Sequence, residues 1–207
     1  SVLASIVACG ETERPIAVDV KTDYVPGREL AGVAIYAGWS DDGSREPTFM
    51  NWVFALPGED FDRGVRLGLV ERTSNPLFIA VELWDPESES STDPFVEPFL
   101  YTALRVDDAT LPAVTVVLSR SCEGVDCTLG PDRTPQACFA GACVDMRCTP
   151  ETPEHCGAPQ CGSDSDCPSA TPCAPARCED GVCLAPPRDH LCASGEVCDP
   201  RSGCTSP

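Results

Sequence analysis

The sequence predicts an all-β protein in two parts: a sandwich of about seven antiparallel strands over residues 10–121, and a small, disulfide-rich, mostly irregular region over residues 122–207. Three observations predict it. All Trp and Tyr residues and all Phe except Phe139 precede Ser121, whereas every cysteine except Cys9 follows it. Short runs rich in β-branched and aromatic residues recur through the front part, punctuated by Pro, Gly, Asn and Asp. No run carries the stripe, one apolar residue every three or four, that an amphipathic helix needs.

Taken in order, Ile16-Ala17-Val18-Asp19-Val20 alternates apolar and polar residues, and Val25-Pro26-Gly27 supplies a turn before the apolar stretch Leu30 to Tyr36. Further runs follow at Asn51 to Leu56, Gly64 to Val70, Leu77 to Trp84, Phe99 to Val106 and Ala113 to Leu118. In Leu77 to Trp84, one face carries Leu77, Ile79, Val81 and Leu83, as expected of a strand with one face in a core. Breakers separate the runs at Pro26-Gly27, Asp41-Asp42-Gly43, Pro57-Gly58, Asn75-Pro76 and the acidic segment Asp85 to Pro94. This spacing fits an immunoglobulin-like or transthyretin-like sandwich and leaves the strand order open. The acidic segment lacks the EF-hand pattern and reads as a solvated loop rather than a calcium site.

At the front end, the apolar stretch Val2 to Ala8 runs into Cys9 and then into the polar Glu11-Thr12-Glu13-Arg14. Ile6-Val7-Ala8-Cys9 resembles the bacterial lipobox. The resemblance implies that residues 1–9 are the remnant of a lipoprotein signal peptide, and that Cys9 is the lipid-attachment residue holding the mature protein to a membrane. No Met and no basic segment precede Ser1, so residues upstream of it would complete such a signal. The competing reading of Cys9 is an ordinary buried or unpaired thiol.

The other fourteen cysteines are Cys122, Cys127, Cys138, Cys143, Cys148, Cys156, Cys161, Cys167, Cys173, Cys178, Cys183, Cys192, Cys198 and Cys204. Val125, Leu129, Phe139, Val144, Met146, Val182, Leu184, Leu191 and Val197 are too few to give this region a continuous core of its own. Covalent links or metal must hold it. Zinc sites commonly use C-x-x-C pairs, and the chain contains none, so seven disulfides are expected and no metal site. Each bridge contributes about 2–4 kcal/mol, and the sequence selects no pairing. Turn-bearing hairpins are expected at Cys138 to Cys143, Cys178 to Cys183 and Cys198 to Cys204, as two or three copies of a small knot. The stretch Cys161-GSDSD-Cys167-Pro168, continued by Cys173 and by Cys178-EDGV-Cys183, resembles the short Cys-rich repeats of exported lipoproteins of myxobacteria and their relatives. That resemblance implies an outer-membrane lipoprotein facing the periplasm or cell surface, or otherwise a secreted protein. It implies no defined activity.

A formal charge of −19 disfavours nucleic acid as a partner. No apolar run approaches the roughly 18 residues of a membrane-spanning helix, so a soluble body is expected. Motifs for a nucleophilic serine, a zinc protease or a phosphate-binding loop are missing, and the front part has no His. His155 and His190 read as packing or solvated residues, and Lys21, the sole lysine, as solvated. No catalytic residue and no cofactor are expected.

The first expectation is therefore a non-catalytic cell-envelope lipoprotein, a binding, adhesion or spacer module whose partner is an extracellular protein or glycan. In it the Cys-rich repeats form a stalk or tip. The alternative is a protease inhibitor in which the loop Pro172 to Arg177 is held in substrate-like form and Arg177 is the recognition residue. A third reading, an exported hydrolase, requires a concave site of clustered carboxylates within the first 121 residues.

Overall fold

The computed structural model describes residues 15–38, 47–71, 76–86, 98–108, 110–127 and 136–206. Seven strands make the front part: β1 (Ile16–Thr22), β2 (Gly32–Ala37), β3 (Phe49–Phe54), β4 (Val65–Val70), β5 (Leu77–Trp84), β6 (Leu100–Val106) and β7 (Ala113–Leu118). Each coincides with one of the runs read from the sequence. They form two packed sheets, of order β4-β1-β7 and β3-β2-β5-β6. Between the sheets lie Ile16, Val18 and Val20 of β1, Val33 and Ile35 of β2, the row Leu77, Ile79, Val81 and Leu83 of β5, and Val114, Val116 and Leu118 of β7, all essentially without solvent contact. Burying each such side chain is worth about 1.5–3 kcal/mol, which makes this core the main drive to fold.

The strand order departs from the wholly antiparallel expectation at one place, since β1 and β7 pair in parallel from Ala17 opposite Ala113 to Thr22 opposite Leu118. The other pairs of the sandwich, β1 with β4, β2 with β3, β2 with β5 and β5 with β6, are antiparallel. Because β1 and β2 fall in different sheets, the order is not the immunoglobulin one, in which the first two strands share a sheet.

The Cys-rich region contains three hairpins, β8 (Gln136–Phe139) with β9 (Ala142–Asp145), β10 (Arg177–Glu179) with β11 (Val182–Leu184), and β12 (Val197–Asp199) with β13 (Gly203–Thr205). The first two turn through Ala140-Gly141 and Asp180-Gly181, with all four residues at positive φ, the two-residue turn whose twist matches paired strands. In each hairpin two cysteines stand directly opposite: Cys138 and Cys143, Cys178 and Cys183, Cys198 and Cys204. They do not bond to each other. Side chains opposite one another project from the same face, and both reach the segment lying against that face. The bridges are accordingly Cys122–Cys138 with Cys127–Cys143, Cys161–Cys178 with Cys167–Cys183, and Cys173–Cys198 with Cys192–Cys204. Cys148–Cys156 is a separate short clip.

The hairpins lie along the sandwich and do not project from it as a stalk. Cys122, Cys127 and Cys138 join the main core, and Val117 on the outer side of β7 packs with Phe139, Val182 and Leu184. Met146 covers Phe78, Ala80 and Ala103 on the outer face of β5 and β6. A region too poor in apolar residues to build a core has instead shared the sandwich's. Polar ties reinforce the seam. Lys21, expected to be solvated, is mostly buried and paired with Asp180, and Arg28 reaches Asp189 at 3.0 Å and the Cys198 carbonyl at 2.9 Å.

Candidate binding face

The outer face of the β3-β2-β5-β6 sheet carries the largest exposed apolar side chains among the described residues. β3 is the edge strand and alternates strictly: Phe49, Asn51 and Val53 turn inward, while Met50, Trp52 and Phe54 turn outward with 71%, 36% and 55% of their surface exposed. Asn51 seals the inner seam by donating to the Leu67 carbonyl of β4 at 3.0 Å. Among the described residues the outward row has no such partner on its solvent side.

A glycine sets the posture of Trp52. A Cβ on Gly32 of β2 would lie 2.5 Å from one carbon of the indole and 2.7 Å from another, so the ring lies across the bare β2 backbone and any side chain there would lift it. The indole meets Trp84 of β5 at 5.5 Å between ring centroids and Phe54 at 6.3 Å, both in inclined geometries that aromatic quadrupoles favour. Two residues further along β2, Ala34 is buried between Trp52 and Glu82, its register neighbours on either side.

Glu82 stands among Tyr36, Trp84 and, directly opposite on β6, Tyr101, whose surface is 49% exposed. Burial pushes the Glu82 carboxyl above its ordinary value, and hydrogen bonding from the Tyr36 hydroxyl pulls it partly back. The Tyr36 hydroxyl is pushed up to about 12, first by burial and then by the Glu82 charge. Tyr101 is raised in the same way. The face is thus an aromatic surface of mutually inclined rings with one half-buried carboxylate among them, and it can stack rings or C–H faces while accepting hydrogen bonds at one point.

Cys9 and residues 87–94 of the acidic segment lie outside the described residues. The other fourteen cysteines all form disulfides, so the close sulfur groupings Cys161, Cys167, Cys183 and Cys173, Cys192, Cys198 are neighbouring bridges, without free thiolates to hold zinc. Arg177 is not presented to solvent as an inhibitory residue would be. It pairs with Asp62 at 2.8 Å and with Glu179 at 3.1 Å, and also donates to the Asp62 carbonyl.

A cleft of about 350 Å³ between sandwich and tail does gather Asp23, Glu59, Asp60, Asp62 and Asp189 beside His190. Most of its carboxylates are already engaged: Asp23 accepts the Arg120 and Ala185 amides, Glu59 the Leu56 amide, Asp189 the Cys198 amide and Arg28, and Asp62 pairs with Arg177. They fasten loops. The Asp164 and Asp166 pair of the Cys-rich repeat likewise receives the Cys178 amide and the Gly162 and Ser163 amides.

No family model matches the chain, and no curated protein is similar to it. The functional reading therefore rests on the chemistry of the sheet face, whose signal in the sequence is the apolar outward row Met50, Trp52 and Phe54 on a strand with one neighbouring strand among the described residues.

Proposed function

We propose that this protein is an exported, non-catalytic binding module of the cell envelope, anchored through lipid at Cys9, and that it engages its ligand with the outer face of the β3-β2-β5-β6 sheet. The observation that carries the reading is the row Met50, Trp52 and Phe54, large apolar side chains held open to solvent on a covalently braced scaffold. Contiguous exposed apolar surface costs solubility and marks an interaction site where it is kept. Seven disulfides agree with an oxidising compartment outside the cytoplasm.

The binding face is tested by retention of the purified protein on envelope fractions from the producing cells. Replacing Trp52 by Ala should lower retention about tenfold while the thermal midpoint moves by only a few degrees. Equal retention of the variant and the parent would remove the assignment. The anchor is tested separately: labelled palmitate should enter the full-length precursor expressed in its host and be lost in Cys9→Ala, and labelling that survives the substitution would exclude Cys9.

A further inference from the structure

We infer that the ligand of this face is a neutral carbohydrate chain that stacks a sugar ring on Trp52 and places hydroxyl groups at Glu82. The inference rests on the sheet-face reading above and narrows it to one ligand class. Three features select that class.

The first is the posture of the indole. Trp52 rests against the Gly32 backbone beside Trp84 and Phe54, and 36% of its surface stays exposed. The face of a pyranose ring presents several weakly positive C–H groups at once, and these complement the electron-rich plane of an indole. An aliphatic side chain would be served as well by Met50 or Leu56, whose exposed groups need no support from a glycine.

The second is the carboxylate. Glu82 is half-buried, is held above its ordinary carboxylate value by that burial, and has Tyr36 as its hydroxyl donor. Covering it with an apolar protein surface would remove its remaining water and give no hydrogen bond in return. A ligand rimmed with hydroxyls replaces that water group for group. Anionic polymers are disfavoured twice over, by Glu82 and by the −19 charge of the chain.

The third is shape. The aromatic groups are spread across the sheet, with Trp52 on β3, Trp84 on β5 and Tyr101 on β6, and Trp52 and Tyr101 are the exposed ones. Four strands spaced about 4.8 Å apart span on the order of 14 Å, which suits several linked sugars passing across the strands better than one terminal residue.

Gly32 follows as the residue that sets specificity without touching ligand. Its replacement by Ala removes no aromatic group and puts no residue into a forbidden backbone region, yet it must tilt the indole away from the sheet.

The test uses the disulfide-intact protein in native affinity gels containing a soluble neutral polysaccharide, with a β-glucan, a xylan and a galactomannan as separate probes, alongside envelope retention and sedimentation. Retardation by at least one of the three is expected, weakened about tenfold in Trp52→Ala and in Gly32→Ala, and less in Glu82→Gln, which keeps an acceptor. Phe54→Ala serves as a second aromatic variant should Trp52→Ala not fold. If none of the three polysaccharides retards the protein while Trp52→Ala still loses envelope retention, the carbohydrate inference is overturned and the face stands. Loss of that retention after protease treatment of the envelopes would then identify a protein ligand. A concentration-dependent dimer that Trp52→Ala dissolves would instead make the face a self-association surface through the β3 edge and overturn both readings.

Discussion

Asp23 shows how much one buried carboxylate governs. It sits at the end of β1, accepts the Arg120 amide at 2.9 Å and the Ala185 amide at 3.2 Å, and so ties the sandwich to the tail. Arg120 returns a bond to the Asp23 carbonyl and lies 4.3 Å above the Tyr24 ring. Burial raises the Asp23 carboxyl above its ordinary value, against the opposing pull of Arg120 and the backbone donors. The folded protein therefore holds this proton to higher pH than the unfolded chain does, so the associated stability is complete below the ordinary carboxylate value and is lost as pH rises through the raised one. Asp23→Asn turns an N–H toward one of the two amides and should cost about 1–3 kcal/mol. That cost should shrink as pH rises, because the variant has no charge to bury; urea midpoints of both proteins at about pH 4 and pH 7 measure it, and a cost independent of pH would refute the assignment.

Carboxylates of the opposite kind cluster in the tail. Hydrogen bonds from Arg201 to Glu123, from Arg147 to Asp145, from the Gly162 amide to Asp166, from the Cys198 amide to Asp189 and from the Ser202 amide to Asp199 lower each, Asp145 to about 2. Their stabilisation is present above the ordinary carboxylate value and is lost as pH falls through the lowered one. Amide exchange at about pH 3, against about pH 5, should therefore loosen residues 136–206 before the strands of the sandwich, and uniform loosening would contradict this.

At the scale of elements, β5 separates what pattern reveals from what it conceals. Its row Leu77, Ile79, Val81 and Leu83 was legible because alternation places one face toward one core. Phe78 and Ala80 on the other face are buried too, under Met146, which belongs to a loop far along the chain. No local pattern announces a cover that arrives from elsewhere. Met146→Ala should cost about 2–4 kcal/mol in urea unfolding, since it leaves a gap over Phe78 that neighbouring bridges prevent from closing. A cost below about 0.5 kcal/mol, the level of an ordinary surface change, would show that the contact does not brace the sheet. The hairpins of the tail were legible from Gly and cysteine spacing. Their bridges were not, because pairing depends on which segment lies against each hairpin.

For the whole molecule, a seam of shared core, ion pairs and backbone bonds makes sandwich and tail one folding unit. The Arg105 amide donates to the Met146 carbonyl at 2.9 Å, so even the free edge of β6 is completed by the tail. Calorimetry of the oxidised protein should give one transition with equal van't Hoff and calorimetric enthalpies, whereas two separated transitions would make the tail an independent appendage. A chain ending at Ser121 should bind the dye ANS and melt at lower temperature, because Phe78, Ala80 and Val117 lose their cover.

The sequence by itself determined the class of fold, the seven strands, the oxidising compartment and the three hairpins, since each follows from local alternation, turn chemistry or cysteine content. Tertiary structure alone decided the parallel partnership of β1 and β7, the seven pairings, the course of the tail along the sandwich and the assembly of Trp52, Gly32 and Glu82 on one face. The physical reason is common to all four. Each depends on which distant segments come to lie side by side, and that is settled by the joint burial of apolar surface across the whole chain and not by any stretch of it.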